Sequence, residues 1–224
     1  MADTLPDWMG GAFSGPRMKP YLEASGGDAA RACRLYWWNI EVSAALYGPL
    51  HCLEVTLRNA LHGVLVERYG RADWWEDAPL NANGHRLVTA ARAKCERHGK
   101  GRRAVTADGV VAELSFGFWA SLVSKGSRYD RDFWVPAVHK AFPHYSGRRD
   151  ELYAALWSLV LLRNRIMHHE PVHGSPLAVQ HAKIYRVLGY LDPDLVTEIR
   201  AMDRFPAVLR HRGETCDGTR LPRF

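Results

Sequence analysis

Apolar positions recur at three- and four-residue spacing along most of this chain, the pattern of helices that bury one face. Asp28 is placed to cap a helix that carries Ala32, Leu35, Trp38 and Val42 through to Tyr47. Gly48-Pro49 predicts a break or a kink there. A second long helix follows over 50–69 and ends at Gly70. Asp73-Trp74-Trp75-Glu76 reads as a docked aromatic loop. Further helices are predicted over 83–98, over 109–125 with a soft interruption at Gly117, and over 130–142 with a kink or boundary at Pro136. The helix over 148–169 has a strongly apolar middle, and Pro171 disfavours α geometry at Glu170, so this helix should end near His169. An amphipathic helix over 176–191 follows, and Asp192-Pro193-Asp194 starts another toward Met202.

The ends of the chain look different. Residues 1–27, with Gly10, Gly11, Gly15 and Pro16 early on, read as a flexible arm, and the basic, turn-rich tail over 206–224 is expected to fray. No strand alternation and no fixed-period repeat emerges. The expected fold is all-α, a helical bundle with additional helices, whose main domain covers 28–205.

Composition narrows the class. At 224 residues the chain can bury a sizeable core, and 47% hydrophobic content with 8 Trp excludes disorder. No apolar run approaches the roughly 18 residues that span a bilayer, so no membrane partner is expected. The N-terminus lacks the basic-then-apolar pattern of a secretory signal, which favours the cytoplasm. Cys33, Cys52, Cys95 and Cys216 show no C-x-x-C spacing, against a zinc ribbon or a redox pair. A net charge of +6 is compatible with a polyanionic partner. Its densest part lies over 92–103, where Lys100, Arg102 and Arg103 are candidate RNA contacts in a glycine-containing loop. A solvated surface loop and an ordering segment at a subunit contact are the other readings of that stretch.

The chemistry concentrates at the end of the helix over 148–169. Leu161-Leu162-Arg163-Asn164-Arg165-Ile166-Met167-His168-His169-Glu170-Pro171 sets a permanent cation, an amide and two imidazoles after an apolar run. A guanidinium presents a planar fork of donors to a phosphate, and an imidazole moves a proton near neutral pH. Cutting RNA without a metal needs both. At about 100° per residue, Asn164 and His168 share a face, whereas Arg163 and His168 are offset by about 140°. Two facing helices bring Arg163 and His168 together more readily than one helix does, which points to a homodimer with a composite site.

Arg163-Asn164 followed by His168 resembles the R-x(4–6)-H motif of the HEPN superfamily, and His168-His169-Glu170-Pro171 resembles its Abi-like (abortive infection) branch. The likeness extends over 37–191, through Leu53-Glu54-Val55-Thr56-Leu57-Arg58-Asn59-Ala60-Leu61-His62, Ser115-Phe116-Gly117-Phe118-Trp119 and the segment over 129–134. The resemblance implies a helical bundle and a dimeric, metal-independent endoribonuclease of phage defence or a toxin, with an antitoxin protein as a candidate partner. A HEPN module that binds RNA or a protein without cutting is the alternative.

On this reading Arg163 holds the scissile phosphate, and His168 transfers a proton, with His169 as its rival or support. Asn164 orients Arg163. Arg165 faces solvent or the RNA backbone, and Glu170 pairs with an arginine to fix the loop. Glu54, Arg58 and Asn59, with His62, echo the motif within the second long helix and read as a supporting polar network. A metal at His168, His169, Glu170 and His173 is the lesser reading, because adjacent histidines on a helix point apart and zinc needs three or four convergent ligands. No metal and no cofactor are expected.

Overall fold

The computed structural model describes residues 4–98 and 104–224, and no strand occurs among them. The α-helices in chain order are α1 (Asp7–Phe13), α2 (Gly15–Ala24), α3 (Ala29–Tyr69), α4 (Ala82–His98), α5 (Ala107–Glu113), α6 (Phe116–Ser121), α7 (Arg149–Met167), α8 (Leu177–Leu191), α9 (Pro193–Met202), α10 (Phe205–Arg210) and α11 (Arg212–Asp217). The all-α expectation stands. Lys100, Arg102 and Arg103 lie outside the described residues.

Contacts gather into two compact units. The first comprises Met1–Leu50, Leu162–Ala182 and Ile199–Phe224; the second comprises His51–Leu161 and Lys183–Glu198. The divisions fall inside α3, α7, α8 and α9, so element boundaries in the sequence do not mark them.

In the first unit, segments near both termini carry buried side chains. Met9 of α1 and Met18 and Tyr21 of α2 are fully buried. Each such side chain contributes about 1.5–3 kcal/mol over an exposed one, enough to hold a glycine-rich segment in place. At the other end Thr215 and Cys216 of α11 are buried. Arg220 closes a bidentate pair on the buried Glu41 carboxylate at 2.6 and 2.9 Å, across 179 residues of sequence. Burial works to raise the Glu41 carboxyl, but the hydrogen bonds and charge of Arg220 outweigh it and hold it below the usual range.

In the second unit the aromatic side chains form the core. Trp74, Phe118, Trp119 and Phe133 are all essentially fully buried, with Trp74 at ring-centroid distances of 6.3–6.4 Å from the other three. The docked aromatic loop is a short 3-10 turn over Trp74–Glu76. Two predicted elements differ. The break expected within 109–125 comes at Ser115, not Gly117, because the Ser115 side chain caps α6 by accepting from Phe118 N at 3.3 Å. The segment over 130–142 forms a π turn at Asp130–Trp134 and a 3-10 turn at Val138–Ala141, separated around Pro136.

Gly48-Pro49 does not divide α3, which runs on through it. Proline removes one backbone donor, while Leu46, Leu50, Leu53 and Leu57, all buried, continue the helical register on both sides.

Candidate functional site

The turn that ends α7 belongs wholly to the first unit. His168 N still bonds Asn164 O at 2.9 Å, His169 N bonds Ile166 O at 3.0 Å, and Glu170 N reaches back to Arg165 O at 2.8 Å. The last two are the paired bonds of a Schellman cap, whose left-handed position is normally glycine. Here it is His169, with φ of 57°. A side chain held in that region costs about 1 kcal/mol, so the surrounding contacts must fix it.

Three sets of contacts do so. The Arg165 guanidinium donates to Pro171 O and, at 3.0 Å, to Ser175 Oγ, and it pairs with Glu170 at 3.5 Å. Arg17 of α2 donates to His169 O. Asn39 of α3, only 5% exposed, accepts from Val172 N at 2.8 Å and His173 N at 3.1 Å through one Oδ1. The expectation that Glu170 pairs with an arginine therefore holds, and its partner is Arg165. Arg165 is exposed, and phosphate would have to compete with these internal contacts.

The side chains that carry the motif differ in access. His168 and His169 are exposed, while Arg163 and Asn164 are half-buried on α7. α7 ends at Met167 and His168 N keeps the helical bond to Asn164 O, so the offset of about 140° between Arg163 and His168 applies within one chain.

Behind the turn, Tyr21 packs against His173 with ring centroids 4.9 Å apart. The Tyr21 hydroxyl and His173 Nε2 are both buried without a hydrogen-bond partner. Burial pushes the Tyr21 phenol up to about 12, with Tyr36 adding to the shift and Arg17 opposing it. Burial likewise lowers the affinity of His173 for a proton, reinforced by the charges of Arg212 and Arg165. Tyr21, Tyr36, Asn39, Tyr47, His169 and Glu170 are among the walls of a cavity of about 350 Å³ beside the turn.

Glu54, Arg58 and Asn59 lie on α3 in the second unit. Glu54 and Arg58 are half-buried, Asn59 is exposed, and Arg58 Nε donates to Asn59 Oδ1 at 3.3 Å. His62 accepts a hydrogen bond from Trp74 Nε1 on Nδ1 at 3.1 Å. Burial lowers its proton affinity, Arg58 adds to that, and Asp108 opposes it. The echo histidine thus anchors the aromatic core of its own unit.

No match comes from comparison with family models, curated proteins or solved structures. The candidate site therefore stands on its own residues. Among the described residues no three His, Cys, Asp or Glu side chains gather as a metal site requires, and no helix is long and apolar enough to cross a membrane. Arg17, Tyr21 and Asn39 escape sequence reasoning as parts of this site. Only Asn39 carried a signal, as an amide between Trp38 and Ile40 in an apolar stretch.

Proposed function

We propose that this chain is a metal-independent endoribonuclease of the HEPN, Abi-like type, acting on RNA as a homodimer in phage defence or as a toxin. The observation that carries the reading is the α7 turn itself. It presents His168 and His169 to solvent at the end of the helix that carries the half-buried Arg163, and internal bonds hold its backbone in a conformation that costs energy. Rigid backbone with exposed proton-transfer groups is what a preorganised catalytic site requires.

In the proposed reaction, Arg163 holds the scissile phosphate and offsets the charge that builds on it. His168 takes the proton of the 2′-hydroxyl as its oxygen attacks phosphorus. The bond from phosphorus to the 5′-oxygen breaks, and that oxygen leaves with a proton supplied by a second imidazole. The products are a 2′,3′-cyclic phosphate and a 5′-hydroxyl end, so neither metal nor cofactor enters. The helix offset favours Arg163 and His168 from two subunits sharing one cleft. Support for pairing comes from Trp157 and Leu161 of α7, one turn apart and 40% and 51% exposed, an apolar strip suited to a second copy. An antitoxin protein that covers the turn belongs to the toxin form of this reading.

The test is incubation with total RNA in EDTA, wild type beside His168→Ala. Cyclic-phosphate ends with wild type, and a rate about 10²–10⁴ lower with the variant, are expected. Equal cleavage by both proteins removes the role of His168. Salt-dependent RNA binding without product in either favours the non-catalytic alternative.

A further inference from the structure

The cavity beside the α7 turn has the chemistry of a ring-binding site and not of a phosphate site. Its volume, about 350 Å³, lies at the small end of the range for organic ligands. Among the described residues no lysine or arginine forms its walls, so nothing there favours a phosphate over a neutral ring. Tyr21, Tyr36 and Tyr47 supply aromatic surface, and Ile40, Ile166 and Met167 supply apolar surface. Tyr47 is 52% exposed, so aromatic surface reaches the mouth as well as the floor.

Two residues of its walls, Tyr21 and Asn39, carry polar groups at their ends. The Tyr21 hydroxyl is fully buried and meets no protein partner, an expensive condition unless something else pairs with it. Asn39 spends its Oδ1 on Val172 N and His173 N, which fixes the amide and leaves its NH₂ as the group it can offer. Stacking on tyrosine with hydrogen bonds to the ring edge is how proteins hold an unstacked RNA base. His169 belongs both to the cavity wall and to the motif, so the cavity adjoins the proposed chemistry.

We propose that this cavity is a nucleobase subsite, taking the base of the nucleotide next to the scissile phosphate. The inference rests on the ribonuclease reading and adds to it the part of the substrate that is gripped. The α7 turn then acts twice, because the contacts that hold His169 also shape the wall against which the base lies.

The test uses a labelled 2′-O-methyl RNA dodecamer, which cannot undergo transesterification, so affinity is read apart from cleavage. A second dodecamer carries abasic sugars throughout. Ala44→Phe fills the cavity from an exposed position and should raise the dissociation constant for the normal strand about ten-fold, the loss of one stacked base. It should leave the abasic strand unaffected. Tyr21→Phe removes a hydroxyl with no protein partner, so the melting temperature should hold while affinity for the normal strand falls about three-fold. Wild-type affinity in Ala44→Phe, with cleavage by the native protein intact, overturns the subsite and spares the ribonuclease reading. Failure of the wild type to bind either strand or cleave RNA overturns both. A shift from dimer to monomer in Ala44→Phe at unchanged RNA affinity also overturns the subsite, by assigning the cavity to a subunit contact.

Discussion

Two stretches of this chain carry the same residue types in the same order and meet opposite fates. Arg58-Asn59 with His62 lies in the body of α3, and Arg163-Asn164 with His168-His169 lies at the end of α7. His62 turns inward and accepts from the Trp74 indole, so its imidazole is committed to the core of its unit. His168 and His169 are left in solvent by a cap that ends the helix under them. The difference is not in the residues but in the helix end that Pro171 imposes. A motif of arginine, asparagine and histidine becomes a candidate site only where the backbone stops covering it.

Arg163→Ala removes the phosphate anchor and should lower cleavage about 10²–10³-fold, measured by initial rates on a labelled RNA. A drop of similar size in Arg58→Ala would break the distinction between the two stretches. Asn39→Ala takes away the one oxygen that satisfies two backbone donors behind the α7 turn, and should cost about 2 kcal/mol in urea unfolding. If the turn's rigidity matters to the chemistry, cleavage should fall with it. His169→Gly suits the left-handed position and should stabilise the fold by about 1 kcal/mol. Should cleavage survive that change, His168 and not His169 transfers the proton.

The smallest effect concerns pH. His62 and His173 both bind protons less readily in the fold than their ordinary value of 6.5. The unfolded chain therefore takes up these protons first, and stability falls as pH drops below about 6.5 and is unaffected above it. His173→Leu should remove part of that acid sensitivity, read from melting temperatures at pH 7.5 and 5.5.

Much of the fold is legible in the sequence, because helix ends have local causes. Pro171 locates the end of α7 within two residues, and Gly70 that of α3. Ser115 is a cap in plain view, overshadowed by Gly117. Where causes are distant, sequence reading fails. Arg220 in a basic tail gives no hint of Glu41, and a glycine-rich start hides that Met9, Met18 and Tyr21 will be buried. The candidate site divides along the same line. Arg163, His168 and His169 announce themselves by type and spacing, whereas Arg17, Tyr21 and Asn39 become part of it only through tertiary packing.

The most direct test of the central claim crosses the two histidines. His168→Ala and His62→Ala are each assayed for RNA cleavage in EDTA and for melting temperature. His168→Ala should lower cleavage about 10²–10⁴-fold and leave the melting temperature near wild type. His62→Ala strands a buried indole donor and should cost about 2 kcal/mol, yet at a temperature where it is folded it should cleave within a few-fold of wild type. The reverse outcome, in which His62→Ala is folded but inactive while His168→Ala cleaves normally, would contradict the assignment of the chemistry to the α7 turn.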